Sequence, residues 1–167
     1  MAGPIDVRLR WRCLPFEGLN VHELYAALAL RAQVFVLEQD CVYLDLDGHD
    51  PAVLHLLGQA ADSDAVLAYA RLVPPGTKGP SQTQPMIGRV VTAPAARGQG
   101  AGRALMLQAL RACAEHWPGQ AVEIQAQSYL RAFYASLGFV ATSAPYLDDD
   151  IEHIDMRREF KADFTVD

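Results

Sequence analysis

At 167 residues the chain makes one ordinary domain and can bury about 70% of its unfolded surface, which excludes reliance on disulfides or a structural metal for a core. A net charge of -6 excludes nucleic acid as a main partner and suits a cationic acceptor, although a modest acidic excess also serves solubility. Three cysteines without C-x-x-C spacing, no secretory or myristoylation pattern and no apolar run of membrane-spanning length point to no membrane and a reducing cytoplasm.

In chain order, alternation predicts a strand over Val7–Trp11, then a loop over Leu14–Gly18. Leu24, Leu28, Arg31 and Phe35 recur at helical spacing, so a helix is predicted over Leu19–Glu38. Asp40–Pro51 reads as a loop. Val53–Ala60 and Ala65–Val73 read as a hairpin turning at Asp62-Ser63-Asp64. Pro74–Pro85 lacks apolar periodicity and is predicted to be an exposed loop. Met86–Thr92 is a strand, Gly100–Trp117 a helix, Ala121–Gln127 a strand and Tyr129–Leu137 a helix ended by Gly138. Phe139–Ser143 and Ile154–Glu159 form a closing pair joined through Tyr146–His153. The order implies a single α/β domain over 5–160, with a tail over 161–167. Its mixed sheet is mostly antiparallel around one parallel crossover.

The strand ending at Thr92 runs into Arg97-Gly98-Gln99-Gly100-Ala101-Gly102-Arg103, which opens a long helix. The first N–H groups of a helix lack internal partners and lie at its positive end. Glycines there let a phosphate approach the backbone, and Arg97 and Arg103 add charge. The site suits a pyrophosphate. It lacks the Lys of a Walker A loop, and its G-x-G-x-G spacing is not the dinucleotide G-x-G-x-x-G. The bland alternative is a glycine-rich helix start that only packs closely on a sheet.

Val90-Val91-Thr92-Ala93-Pro94 followed by Arg97-Gly98-Gln99-Gly100-Ala101-Gly102 resembles the R/Q-x-x-G-x-G/A signature of the GNAT superfamily of N-acetyltransferases. Phe133-Tyr134 and Gly138-Phe139 resemble its second signature. Arg31–Gln39, Cys41, Tyr43, Asp47–Asp50, Ile87–Val91 and Ile154–Met156 narrow the resemblance to the ElaA-like subgroup.

The resemblance implies a GNAT-like fold with helices on both faces and a splayed parallel central pair. It implies acetyl-CoA as acyl donor and direct attack by a primary amine, on a small molecule or a peptide. It also implies that the main chain of Val90, Val91 and Thr92 binds pantetheine and polarises the thioester, and that Tyr134 protonates the leaving thiolate. Gln127 stands where the family often carries Asn on the CoA arm, and Phe133 belongs to the same motif. The leucine stripe around Tyr134 equally permits a core role. The family glutamate before the glycine-rich turn is missing, which leaves Glu38, Glu123, Asp148 to Asp150 and His153 as candidate bases. Gln125, alternating with Glu123 and Gln127, marks a polar cleft wall for substrate.

Arg71 and Arg89 sit in apolar strands, where they either pair internally with Glu38, Asp47 or Asp50 or receive an acceptor's carboxylate. Asp45–Asp50 has calcium-like composition but the wrong glycine position, so no metal is expected. The competing functions are a longer acyl donor and a non-catalytic acyl-CoA sensor. A homodimer is left open.

Overall fold

Four strands build an antiparallel run: β1 (Leu9–Pro15), β2 (Leu54–Ala60), β3 (Val66–Val73) and β4 (Met86–Thr92). The chain is described by a computed structural model over residues 8–162. The predicted strand start at Val7, the domain edge at 5 and most of the predicted tail lie outside the described residues. Beyond β4 come β5 (Val122–Gln127), β6 (Val140–Ala141), β7 (Tyr146–Asp148) and β8 (Ile151–Arg158). The sheet order is β1-β2-β3-β4-β5-β8-β6, with β7 also paired to β8. Only β4 and β5 run parallel.

β1 extends past Trp11 through the segment predicted as loop, because register with β2 holds from Leu9–Ala60 to Pro15–Leu54. Pro15 is tolerated because it ends an edge strand. The first helix, α1 (Val21–Arg31), is opened by a capping box in which Asn20 accepts from Glu23 N–H and Glu23 accepts from Asn20 N–H. The predicted helix to Glu38 changes coil at Arg31, and Ala32–Glu38 continues as a wider π-helical turn with Gln39 N–H on the Val34 carbonyl. Periodicity alone cannot register that change of winding.

Helix α2 (Ala101–His116) crosses from β4 to β5, and α3 (Arg131–Ala135) follows a 3-10 turn at Ser128–Leu130, shorter than the predicted helix. Two cores lie on opposite sheet faces. Leu105, Met106, Ala109 and Leu110 of α2 pack with Ala68, Ala70, Ile87 and Ile124. Ala27, Leu30 and Val34 pack with Leu57, Tyr69 and Val91. Alternation along β3 explains the split, since Ala68 and Ala70 face one layer and Tyr69 the other.

Two further predictions need correction. Pro74–Pro85 is not uniformly exposed, because Gln82 is buried and ties the segment together: its amide donates to the Pro74 and Gln84 carbonyls and its Oε1 accepts from Lys78 N–H. The closing connection is itself a hairpin. Asp148 pairs with Ile151 across Asp149-Asp150, both at positive φ, so His153 lies inside β8 rather than before it.

Candidate active site

The parallel pair β4–β5 meets at one register position, Met86 with Glu123, where Glu123 N–H donates to the Pro85 carbonyl at 3.0 Å. Above that point the strands diverge. A bulge helps to aim β4: Tyr69 faces Val91 but Arg71 faces Gly88, so β4 carries an extra residue there. Arg89 sits in that bulge at φ +52°, a conformation unfavourable for a side-chain-bearing residue.

Between the splayed strands opens a cleft of about 230 Å³. Its walls include Arg71, Arg89 and Val90 on one side and Gln125, Gln127, Tyr134, Asp148, Asp149 and His153 on the other, which brings nine predicted site residues together. Gln127 Nε2 donates to Gln39 Oε1 at 3.0 Å and so links β5 to the end of the π-helical turn. Val91 is buried in the α1-side core, and neither Thr92 nor Phe133 lines the cleft. Phe133 packs edge-on against Tyr134, with ring centroids 5.1 Å apart.

The glycine-rich turn follows β4 at the cleft's far end. Gly98 (φ +74°) and Gly100 (φ +78°) adopt left-handed conformations, and Gly100 caps α2. Gly102 has no such need: it is helical, and a Cβ there would meet no protein atom within 4 Å. Its bareness leaves room for a ligand against the helix start. Arg97 Nη2 pairs with Glu38 Oε2 at 2.8 Å and donates to the Thr92 carbonyl, while Arg103 donates to Ser136 Oγ. Glu38 therefore stands beside the turn and is not among the residues lining the cleft. The loop and helix N–H groups suit a pyrophosphate, and the open β4 and β5 edges suit an extended amide-bearing arm.

Tyr134 is buried, and burial pushes its phenol up to about 12, so it stays protonated at neutral pH. The residue lines the cleft, and its hydroxyl has no hydrogen-bond partner among the described residues. The partly buried His153 is hydrogen-bonded from Nδ1 to the Ile151 carbonyl at 2.8 Å and stacks on Tyr146. Because a carbonyl only accepts, Nδ1 carries a proton, and Nε2 is the ring nitrogen left to accept one.

Arg71 and Arg89 reach back from the cleft wall, where with Arg31 they meet Asp45, Asp47 and Asp50 in one network. The internal pairing of Arg71 and Arg89 is thus present, with Asp45 as a partner that sequence reasoning did not name. Hydrogen bonds from Arg71 hold the Asp47 carboxyl well below the usual carboxylate range. Arg89 also lies over the Tyr43 ring at 5.2 Å. Lys78, Phe35, Gln39 and Tyr129 line the cleft without having been named as site residues. Lys78 was the lone cation in a segment without periodicity, a signal too weak to use. Among the described residues no group of three or more His, Cys, Asp or Glu could hold a metal, and no helix is long and apolar enough to cross a membrane.

The sequence matches the acetyltransferase (GNAT) domain family over residues 57–160. It is 41% identical over 154 residues to protein ElaA of Escherichia coli K12, covering 90% of this chain and 97% of that one. A UPF0039 protein of Synechocystis is also 41% identical, over 150 residues, with 90% and 95% covered. Among solved structures, an acyl-CoA N-acyltransferase from Pseudomonas aeruginosa superposes with a TM-score of 0.81 at 44% identity, covering 90% of this chain and 99% of that one. Escherichia coli ElaA superposes at 0.82 with 39% identity and the same coverage.

Proposed function

Because the chain belongs to the GNAT acyltransferase family, within its ElaA-like group, we propose that it moves an acetyl group from acetyl-CoA to a primary amine. The observation that carries this reading is the β4–β5 splay, joined at Met86–Glu123 and open above it, leading into the Gly98–Gly102 turn. Acetyl-CoA supplies an activated acyl carbon, to which the amine nitrogen bonds as the C–S bond breaks. The Gly98–Gly102 main chain and Arg103 hold the pyrophosphate, with Gln99 and Ala101 contributing N–H groups to the same turn. Val90, Val91 and Thr92 present main-chain groups to pantetheine, and one N–H there polarises the carbonyl. Gln127 steadies the arm from β5.

His153 takes the amine proton at Nε2, supported by the Nδ1 bond that leaves Nε2 to accept and by its place on the cleft wall. Tyr134 delivers a proton to the departing thiolate, supported by its place on the cleft wall and its unpartnered hydroxyl. Glu38 orients Arg97 instead of serving as base, since its carboxylate is already engaged.

Thiol release from acetyl-CoA and from longer acyl-CoAs, assayed across amines, tests the proposal. Turnover that is greatest with acetyl-CoA and falls in His153→Ala and Tyr134→Phe is expected. Tight CoA binding with no thiol release from any donor would favour the sensor and sink the enzyme.

A further inference from the structure

Three arginines and three aspartates balance one another along one side of the cleft, and Lys78 adds a fourth cation that forms no ion pair with them. None of the ion pairs among the described residues uses it. Its position is built. The buried Gln82 accepts from Lys78 N–H at 2.9 Å, and Gly76 N–H donates to the Gln82 carbonyl at 2.7 Å, which fixes the turn that carries Lys78 to the cleft wall.

Lys78 lines the cleft beside Met86 and Gln125, near the closed end of the splay. The glycine-rich turn lies past Thr92, about 20 Å along β4 at roughly 3.3 Å per residue. Lys78 is therefore at the end away from the donor's phosphates. Arg71 and Arg89 are there too, but both are already held by aspartates. Lys78 keeps an exposed surface at the cleft, and partial desolvation with Arg71 and Arg89 close by outweighs the pull of Asp47 and lowers its ammonium below the ordinary lysine pKa. Asp148 and Asp149 line the same cleft and supply a negative pole. A ligand with one group of each sign matches that polarity.

We propose that Lys78 is the receptor for a carboxylate on the acceptor, so that the amine acylated belongs to an amino acid or short peptide rather than a polyamine. This rests on the acyltransferase reading for the identity of the reacting amine. The binding itself does not depend on turnover.

Equilibrium binding to the CoA-saturated protein is measured calorimetrically for the free α-amino acids, their α-carboxamides and spermidine. Aspartate and glutamate α-carboxamides, which keep only a side-chain carboxylate, separate the two sources of the charge. At least one carboxylate-bearing amine is expected to bind about tenfold or more tightly than its carboxylate-free partner, the usual margin of a charge-assisted hydrogen bond. Lys78→Met should erase that ratio, and Lys78→Arg should keep most of it. The proposal is overturned if spermidine or the neutral amides bind as well as the acids, if no acid binds, or if the ratio survives in Lys78→Met. Failure of acetyl transfer with the ratio intact would instead count against the enzyme reading alone.

Discussion

Arg89 leaves the β4 bulge at φ +52° and places Nε 2.7 Å from Asp45 Oδ1, while its Nη2 donates to the Asp45 carbonyl at 3.1 Å. The other oxygen of that carboxylate accepts from Arg31 Nε at 2.9 Å. One buried aspartate therefore connects the end of α1 to the strand that lines the cleft. Asp45→Asn keeps the shape but leaves two guanidinium groups short of charge. It should cost about 3–5 kcal/mol in urea denaturation, the range for breaking a buried pair. Asp64→Asn, at the exposed pair with Arg10, should stay within about 1 kcal/mol.

Tyr134 offers a cleaner separation of chemistry from folding. Its ring packs edge-on against Phe133 and Phe139, whereas its hydroxyl has no partner among the described residues. Tyr134→Phe should leave Tm and CoA affinity nearly unchanged and lower kcat by about 100- to 10,000-fold, the usual worth of a positioned acid. An unchanged kcat would return Tyr134 to a packing role.

The glycine-rich turn predicts opposite stability effects within five residues. Gly98→Ala and Gly100→Ala force a Cβ into a left-handed backbone and should each destabilise by about 1 kcal/mol or more. Gly102 is helical and unobstructed, so Gly102→Ala should stabilise by up to about 1 kcal/mol. It should nevertheless weaken CoA binding, because the Cβ enters the space a phosphate would use. Thermal melts with and without CoA check both effects.

Legibility in the sequence followed the range of the signal. The β2–β3 hairpin, α2 and the glycine-rich turn are written in local periodicity and punctuation, and their predicted bounds are off by a residue or so. The β4–β5 splay was reachable only through the family resemblance, because one register pair between strands separated by a helix leaves no local trace. The bulge at Arg89 is set by its partners Tyr69 and Arg71, so nothing in Gly88-Arg89-Val90 announces it. The β7–β8 turn was missed for a different reason. Asp149-Asp150 takes a conformation usually marked by Asn-Gly, and the acidic run read as a connector. Lys78 escaped because a buried glutamine holds its loop, and Gln82 has no apolar signature.

His55 should make the fold sensitive to mild acid. It is 1% exposed, with Nε2 2.8 Å from the Asp50 carbonyl and Nδ1 2.7 Å from the Tyr69 hydroxyl. The carbonyl fixes the proton on Nε2, so Nδ1 accepts from Tyr69 and the ring is neutral. Burial, the largest influence, lowers its pKa below the ordinary 6.5. The unfolded chain then binds a proton at a pH where the native ring does not, so stability falls as pH drops below about 6.5 toward the folded value. Asp50 and Asp47, also lowered, add a further loss as pH falls through and below their ordinary 3.8. Urea midpoints measured between pH 7.5 and 4.5 should decline in the wild type and decline less in His55→Gln, even though that variant starts from lower stability. Parallel slopes in the two proteins would show that His55 is not the group responsible.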